Sequence, residues 1–239
     1  MDKVSIVIPV YNCPFVGHAI ESALNQTYPN IEIIVVNDGS SEEFTEKIRP
    51  YIPKIHRYIE KANGGTASAL NAGIQHATGD YFCWLSSDDR YDPQKVQKQH
   101  QFMSECQADV SYSDYVYIDA NNSILSGSLG ISFPNRLQFL EQMKKGCFIN
   151  GCTVMMKMSV FSEAGLFDES LPYTHDYDLW LRVLKYRHFY YLNEPLVLYR
   201  VHDGMGTKKH EQEILKEIVF VQQKHQAGLD QLILEELLK

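Results

Sequence analysis

The sequence predicts an α/β fold in which a mostly parallel sheet is flanked by helices. Strand-like and helix-like segments alternate four times in the first half of the chain. The strand segments are short apolar runs rich in Val and Ile, which is typical of strands buried on both faces of a parallel sheet. Polar turns that contain Asp or Asn together with Gly or Ser follow three of these strands. Because parallel strands end at the same edge, we expect these turns to meet at one end of the sheet.

The first half of the chain supplies most of this alternation. The predicted strands cover residues 4–10, 31–36, 55–59 and 81–85. Apolar residues at helical spacing predict helices over 15–25 and 41–48. A third helix is predicted to begin after Asn63-Gly64-Gly65-Thr66 and to extend through Ile74. This order implies right-handed crossovers between parallel strands.

The second half is less regular. Helices are predicted at 93–107, 135–144 and 159–164 and from Thr174, and strands at 110–118, 153–158, 189–192 and 196–201. The segment 119–134, rich in Asn, Ser and Gly, is predicted to be a loop or a hairpin.

The C-terminal tail is predicted to be helical from Lys209, with a break at Gly228. Its last segment carries mostly acidic charges, whereas a lipid-binding amphipathic helix is usually rich in Lys and Arg. Its wide apolar stripe must nevertheless be buried. We therefore expect the tail to pack against its own domain or against a second copy, which leaves the oligomeric state open between a monomer and a homodimer.

Composition and charge narrow the function classes. The chain has 239 residues and a formal net charge of −8, and 44% of its residues are hydrophobic. An acidic chain argues against a nucleic-acid groove, which requires a basic face. We expect no transmembrane segment and no signal peptide, because the apolar runs are short. The five cysteines show no metal-ligand spacing, so we expect a reduced, cytoplasmic protein, free or at the inner face of the membrane.

Asp88 and Asp89 are the first candidates for chemistry. They follow the apolar run 81–85 and so lie at the carboxyl end of a predicted buried strand. Ligands of open α/β sheets bind beyond such strand ends. Carboxylates bind Mg²⁺ or Mn²⁺, cations that share their ligands with substrate phosphates. The pair therefore suggests a cation that holds a diphosphate, and a plain polar turn is the alternative.

Six short motifs follow one another along the chain. They are Ile8-Pro9-Val10-Tyr11-Asn12, Val36-Asn37-Asp38-Gly39-Ser40, Asn63-Gly64-Gly65 with Asn71, Ser87-Asp88-Asp89, His175-Asp176-Tyr177-Asp178-Leu179-Trp180-Leu181-Arg182, and Tyr199-Arg200-Val201-His202. In this order and spacing they resemble the family 2 glycosyltransferases, inverting enzymes of the Rossmann-like GT-A fold that use nucleotide-sugar donors. The resemblance implies a domain over 1–207, with a nucleotide-binding half (1–107) and an acceptor-binding half (108–207), followed by a helical tail (208–239).

The resemblance implies a donor site. In such enzymes Pro9 and Tyr11 line the base pocket, where an aromatic ring stacks on uracil or thymine. Asp38 would accept the N–H of that base, with a turn or cap role as the alternative. Asn63-Gly64-Gly65 would bring backbone close to the nucleotide, or would simply begin a helix. The implied contacts with the nucleotide-sugar are Pro9, Tyr11, Asp38, Asn63, Gly65, Asn71, Ser87, Asp88 and Arg200.

The resemblance also implies metal-binding and catalytic residues. Asp88 would contact the ribose, while Asp89 and His202 would bind Mn²⁺ or Mg²⁺ beside the diphosphate. Asp176 would be the general base that takes the proton of the acceptor hydroxyl. Asp178 diverges from Asp176 on a helix and is predicted to be structural.

Two residues depart from the family pattern. Ser86 stands where many members have a further Asp, and His175 stands where Glu often precedes the base. Two functions are therefore kept. The first is metal-dependent transfer of a single sugar from a UDP- or dTDP-sugar to a saccharide or lipid-linked acceptor, in cell-surface or exopolysaccharide synthesis. The second is a binding protein without catalysis.

Processive members carry a Gln-x-x-Arg-Trp signature that this sequence lacks. A nucleotidyltransferase would have a Gly-rich loop with Arg and Lys in place of Tyr11-Asn12-Cys13-Pro14.

Overall fold

The fold is built on one eight-stranded sheet flanked by helices. The computed structural model describes residues 1–206 and 209–239, so the predicted boundary between domain and tail at 207 and 208 lies outside the described residues. The strands are β1 (Val4–Val10), β2 (Ile31–Asn37), β3 (Arg57–Glu60), β4 (Tyr81–Trp84), β5 (Arg90–Tyr91), β6 (Val110–Ile118), β7 (Met155–Lys157) and β8 (Phe189–Arg200). The helices are α1 (Val16–Leu24), α2 (Glu42–Ile48), α3 (Gly65–His76), α4 (Lys95–Cys106), α5 (Arg136–Lys145), α6 (Val160–Ala164), α7 (His175–Val183), α8 (Gly206–Lys209) and α9 (Glu211–Leu237).

The strand order is β3-β2-β1-β4-β7-β6-β8-β5. The first four strands in this order are parallel to one another, and β6 and β8 form a further parallel pair. β7 is antiparallel to both β4 and β6, and β5 is antiparallel to β8. The prediction of a mostly parallel sheet is therefore confirmed. The antiparallel β7 joins the regular first half of the sheet to the second half.

Burial explains why the first-half strands are short apolar runs. Every residue of β1 and β4 is buried, and β2 is buried except at its first residue. α3 packs so closely on β1 that a Cβ at Gly73 would lie 2.3 Å from Val7 Cγ1. Glycine at this position allows the helix to approach the sheet, and the approach brings Gly65 at the start of α3 to the edge where β1 and β2 end.

Two predicted interruptions are wrong. The strands predicted at 189–192 and 196–201 form one strand, β8, because the register against β6 shifts around Asp114 and places Pro195 at the irregularity. α9 also continues through Gly228. A glycine inside a helix costs about 1 kcal/mol relative to alanine, which the packing of a 27-residue helix outweighs.

The tail packs against its own domain. α9 contacts α5 and α7, and its side chains Val221, His225 and Leu229 are buried. His225 Nε2 lies 2.8 Å from Asp178 Oδ1, which links the tail to α7. Across the described residues, no helix combines the length and the apolar character needed to cross a membrane.

Candidate active site

A cavity of about 490 Å³ opens at the edge of the sheet where the parallel strands end. Its lining comes from the segments after β1, β2 and β4, from the start of α3, and from C-terminal segments. Eight predicted site residues lie on its wall: Pro9, Tyr11, Asp38, Asn63, Gly65, Ser87, Asp88 and Asp89. Four others lie outside this lining: Asn71, Asp176, Arg200 and His202. The polar turns therefore meet at one edge, as the sequence predicts.

Tyr11 presents an exposed ring at the end of β1, with 56% of its surface accessible. The next residue, Asn12, has a positive φ of 46° and bridges to the turn after β2. Its backbone N–H donates to Ser40 Oγ at 3.0 Å, and its Oδ1 accepts from the Ser41 N–H at 2.9 Å. These bonds fix the backbone beside Tyr11, so the ring stands at the cavity ready to stack on a planar ligand.

Asp38 organises the turn that follows β2 and is only 2% exposed. Its carboxylate accepts hydrogen bonds from the N–H groups of Gly64 at 3.0 Å and Gly65 at 2.8 Å. Lys61 Nζ is 2.6 Å from Asp38 Oδ1. The carboxylate thus occupies the anion-binding position at the start of α3 that the sequence suggested for the nucleotide. A contact between Asp38 and a base stays a prediction.

Asp88 and His202 converge beside the cavity, with Asp88 Oδ2 3.1 Å from His202 Nε2. Asp89 lies behind them and is 2% exposed. Its Oδ1 accepts from the Arg200 backbone N–H at 2.8 Å, and its Oδ2 accepts from Cys152 Sγ at 3.3 Å. Burial, followed by the charge of Asp88, raises the pKa of the Asp89 carboxyl well above its ordinary value.

Asp88, Asp89 and His202 carry the ligand types that a divalent cation binds, and their binding of one stays a prediction. Two adjacent carboxylates with one of them buried form a place where a cation would relieve the repulsion. Asp88, Asp89 and His202 would supply hard oxygen and imidazole ligands. As placed, no three His, Cys, Asp or Glu side chains in the described part of the chain, these three included, are arranged as a metal site. A cation here would therefore need further ligands from a substrate diphosphate.

Arg200 lies behind the cavity wall and is fully buried. Its Nε donates to the Asp88 carbonyl at 2.7 Å, and its two terminal nitrogens donate to the Asp119 carbonyl and to Asn122 Oδ1. The guanidinium also lies 4.5 Å from the centre of the Phe15 ring. Arg200 thus holds the Asp88 turn in place from behind, and its predicted contact with the donor stays a prediction.

Asn71, in the middle of α3, is buried away from the cavity lining. Its amide group donates to the Phe167 carbonyl and to Glu169 Oε1, both at 2.9 Å. Its Oδ1 accepts from the Phe167 N–H at 3.0 Å. Asn71 therefore anchors the segment that leads toward α7, and its predicted contact with the donor remains untested.

His175 and Asp176 begin α7. His175 lines the cavity, whereas Asp176 is partly buried next to it. Burial raises the pKa of the Asp176 carboxyl above its ordinary value, although the Tyr177 N–H bonded to Oδ1 at 2.7 Å acts in the opposite direction. A raised pKa brings a carboxylate closer to the range in which it takes up a proton near neutral pH.

Several residues of the cavity wall were not among the predicted site residues. Trp84, at the end of β4, is one of them, and the sequence marks it only as a residue of a buried strand. Other lining residues come from distant segments: Pro172, Tyr173, Met205, Gly206 and Ile214. No local pattern marks these residues, because the fold brings them together from separate segments: two precede α7, two lie at the start of α8, and Ile214 lies on α9. The motif that begins with His175 and Asp176 is the sequence signal that points to this side of the cavity.

A sequence model described as "Glycosyl transferase family 2" matches residues 5–165. The chain belongs to this family. It is 43% identical over 213 residues to an uncharacterized glycosyltransferase of Rickettsia typhi, a match that covers 85% of this chain and 65% of the relative. It is 32% identical to the Escherichia coli protein named UDP-Glc:alpha-D-GlcNAc-diphosphoundecaprenol beta-1,3-glucosyltransferase WfaP, over 91% of this chain and 84% of the relative. The chain spans about two thirds or less of the first curated relatives, down to 31% of a Rickettsia bellii glycosyltransferase.

Solved structures show the same architecture. The Staphylococcus aureus protein TarS 1–349 in complex with UDP-GlcNAc matches with a TM-score of 0.71 at 18% identity, over 85% of this chain and 60% of that chain. The mannosyltransferase PcManGT from Pyrobaculum calidifontis, in complex with GDP-Man and Mn²⁺, matches with a TM-score of 0.66 at 16% identity, over 85% of this family 2 chain and 58% of the other. The fold of this glycosyltransferase family 2 member is therefore the predicted GT-A fold.

Proposed function

We propose that this family 2 glycosyltransferase transfers a single sugar from a UDP- or dTDP-sugar to a saccharide or lipid-linked acceptor, with inversion and with a divalent cation. The supporting observation is the convergence of Tyr11, Asp38 and Asp88 around a cavity of about 490 Å³ at one sheet edge. Binding cavities for small molecules are usually about 300–1,000 Å³. The likeness to WfaP, whose name gives a UDP-glucose donor and a lipid-linked GlcNAc acceptor, favours these substrate classes and a role in cell-surface or exopolysaccharide synthesis.

The donor would lie along the ends of β1, β2 and β4. Tyr11, Asp38 and Asn63 line this part of the cavity, so the Tyr11 ring would stack on the base and the other two would form the wall beside it. Ser87 and Asp88 face the ribose and the diphosphate. A cation bound by Asp88, Asp89 and His202 would neutralise the charge that grows on the departing diphosphate.

The acceptor would enter from the side of α7. Inversion requires the acceptor hydroxyl to attack from the face opposite to the departing diphosphate, so the base must stand across the sugar from the Asp88 turn. Asp176 follows His175, which lines the cavity, and its raised pKa suits a proton acceptor. Asp176 would take the hydroxyl proton as the bond to the anomeric carbon forms.

A binding protein without catalysis is the second candidate. Ser86 and His175 favour it, because each replaces a carboxylate that many family members have, and so the site carries less negative charge. The retained Asp38, Asp88, Asp89, Asp176 and His202 favour the enzyme.

A panel of nucleotides tests the proposal. Purified protein is titrated with UDP, dTDP, GDP, UDP-glucose, UDP-GlcNAc and GDP-mannose, with and without Mn²⁺, and heat release gives the affinities. We expect UDP- or dTDP-linked donors to bind, GDP-linked donors to bind at least about tenfold more weakly, and Mn²⁺ to strengthen the binding. Equal affinity for every nucleotide, or none for any, would contradict the proposed donor site.

A further inference from the structure

Two residues that line the cavity each carry a buried polar atom with no hydrogen-bond partner among the described residues: Trp84 Nε1 and His175 Nε2. Trp84 is 8% exposed and His175 is 4% exposed, and their ring centroids lie 5.5 Å apart. Leaving a buried donor or acceptor unpaired costs about 1–3 kcal/mol. Buried polar groups in folded proteins are nearly always paired, so two adjacent unpaired groups on a cavity wall point to a ligand.

Gly151 allows the Trp84 ring to take its position. A Cβ at position 151 would lie 2.2 Å from Trp84 Cζ3 and 2.4 Å from Cε3, so only glycine lets the indole approach this closely. Cζ3 and Cε3 belong to the benzene edge of the indole, and Nε1 is on the opposite edge. The N–H therefore faces away from Gly151. Trp84 thus offers a donor, and an indole nitrogen can only donate.

His175 offers the matching acceptor. Its Nδ1 lies 3.3 Å from the Leu171 carbonyl oxygen, and a carbonyl can only accept, so Nδ1 carries the hydrogen. In the neutral ring Nε2 then has a free lone pair. The Phe167 ring packs edge-on against the imidazole, with centroids 5.7 Å apart at 72°, and helps to hold its orientation.

We infer that Trp84 and His175 form a donor–acceptor pair that binds hydroxyl groups of a saccharide at the reaction centre, an inference that rests on the proposed function. A sugar hydroxyl both accepts and donates, so one hydroxyl or two neighbouring ones satisfy both rings. Trp84 lies two residues before Ser86, which begins the turn assigned to the diphosphate. His175 lies one residue before Asp176, the proposed base. The sugar being transferred must lie between these two points, and the pair spans this gap.

Affinity differences between UDP and a UDP-sugar test the inference. Trp84→Phe removes the N–H and keeps an aromatic ring, His175→Phe removes the acceptor, and His175→Gln restores an acceptor at a similar distance. With whichever UDP-sugar binds best, we expect the Phe variants to lose about 3- to 10-fold in affinity, as loss of a hydrogen bond predicts. Affinity for UDP should stay within about twofold, and His175→Gln should recover most of the loss.

Trp180→Phe is the matched control. Trp180 Nε1 is also buried and has no partner in the part of the chain that the structure describes, but its ring is fully buried and lies outside the cavity lining. This variant should share the stability cost of losing an indole without changing the ratio of UDP to UDP-sugar affinity. Because the chain has two tryptophans, Trp180→Phe also leaves Trp84 as the sole indole, and its fluorescence should respond more to a UDP-sugar than to UDP.

The outcomes separate the sources of the hydroxyl. Weaker UDP-sugar binding places the pair on the transferred sugar, whereas unchanged donor affinity with a raised KM for the acceptor places it on the acceptor saccharide. If both quantities stay at wild-type values, ordered water alone satisfies the two groups and the inference is overturned. A wild-type protein that binds UDP-sugars no better than UDP rules out the transferred sugar as the source, and an acceptor KM that is unchanged in the variants then overturns the inference. If no nucleotide binds at all, the proposed function fails first, and the pair's assignment fails with it.

Discussion

Asp38 shows how a single side chain connects three segments of this site. The turn residues around it are visible in the sequence, yet Lys61 is 23 positions away and Gly65 is 27 positions away. The same holds for Arg200, whose guanidinium reaches the Asp88 carbonyl across 112 positions. The sequence predicted which residues stand at the strand ends because parallel strands end together. It did not predict which partners occupy their polar atoms, since those partners depend on packing between distant segments.

Asp88 is the more accessible member of the carboxylate pair and the one that meets His202. Replacing Asp88 with Asn removes one negative ligand from the proposed cation site while keeping the side-chain size. We expect the gain in UDP affinity produced by Mn²⁺ to shrink by about tenfold or more, because the site would retain only a buried Asp89 and His202.

Asp92→Asn is the control for this change. Asp92 is also acidic and lies four positions away, but its Oδ1 caps the Gln94 N–H at 2.9 Å and it lies outside the cavity lining. Titration with UDP, with and without Mn²⁺, should give wild-type values for this variant. An identical Mn²⁺ effect in Asp88→Asn and the wild-type protein would remove Asp88 from the cation site.

At the scale of elements, the regular first half of the sheet was the most predictable part. Its strands are buried on both faces, so apolar runs such as Val4–Val10 have no competing structure. The second half of the sheet differs from the sequence prediction where tertiary contacts determine which residues form a strand. β5 has only two residues and exists by pairing with β8, and β8 passes Pro195 by an irregularity that no local pattern announces.

Replacing one glycine in α3 and one in α9 by alanine should change the free energy of unfolding in opposite directions. A methyl group at Gly73 would clash with Val7, so Gly73→Ala should lower the free energy of unfolding by about 1–3 kcal/mol. At Gly228 the nearest atom to a new Cβ is Lys185 Cε at 3.5 Å, so Gly228→Ala should raise it by about 0.5–1 kcal/mol through helix propensity. Urea unfolding measures both values. Changes of the same sign would contradict the packing described for one of the two helices.

The docking of α9 on α7 should make stability depend on acid pH. Burial alone would raise the pKa of Asp178, but hydrogen bonds from His225 and Lys224 and the charge of Arg182 hold it below its ordinary value of 3.8. A depressed pKa contributes stability above the ordinary value, and this contribution is lost as the pH falls through the folded-state pKa. The free energy of unfolding should therefore fall as the pH drops from about 5 to about 2.

Substitutions separate this contribution from general acid sensitivity. Asp178→Asn leaves Arg182 and Lys224 without the buried carboxylate that they contact and should cost about 3–5 kcal/mol at neutral pH, with a flatter acid slope. Lys224→Met removes a partly exposed partner of Asp178, so it should destabilise the protein less than Asp178→Asn does. It should also flatten the dependence of stability on acid pH to a smaller degree. Stability curves that run parallel for all three proteins between about pH 5 and pH 2 would show that Asp178 does not link the tail to the domain.

For the whole molecule, the fold class and the position of the site were predictable from the sequence, whereas the residues that form the wall opposite the strand ends were not. The strand ends supply the donor side of the cavity, as the alternation of strands and helices implies. The opposite wall comes from Tyr173 before α7, Met205 before α8 and Ile214 on α9, which only the tertiary fold brings together. One consequence is that the tail does more than cover the core, because Ile214 of α9 is part of the wall of the proposed substrate site.

The most direct test of the account is the configuration of the sugar that the enzyme first releases. The protein is incubated with Mn²⁺ and its best-binding α-linked UDP-sugar, and proton NMR follows the anomeric signals before mutarotation. Inverting chemistry predicts that the β-anomer, or a β-linked product when acceptor is present, forms first. Asp176→Asn should bind the donor normally and turn it over about 10²–10⁴-fold more slowly. Release of the α-anomer first, or undiminished turnover by Asp176→Asn, would contradict the proposed mechanism, and binding without any turnover would favour the binding protein.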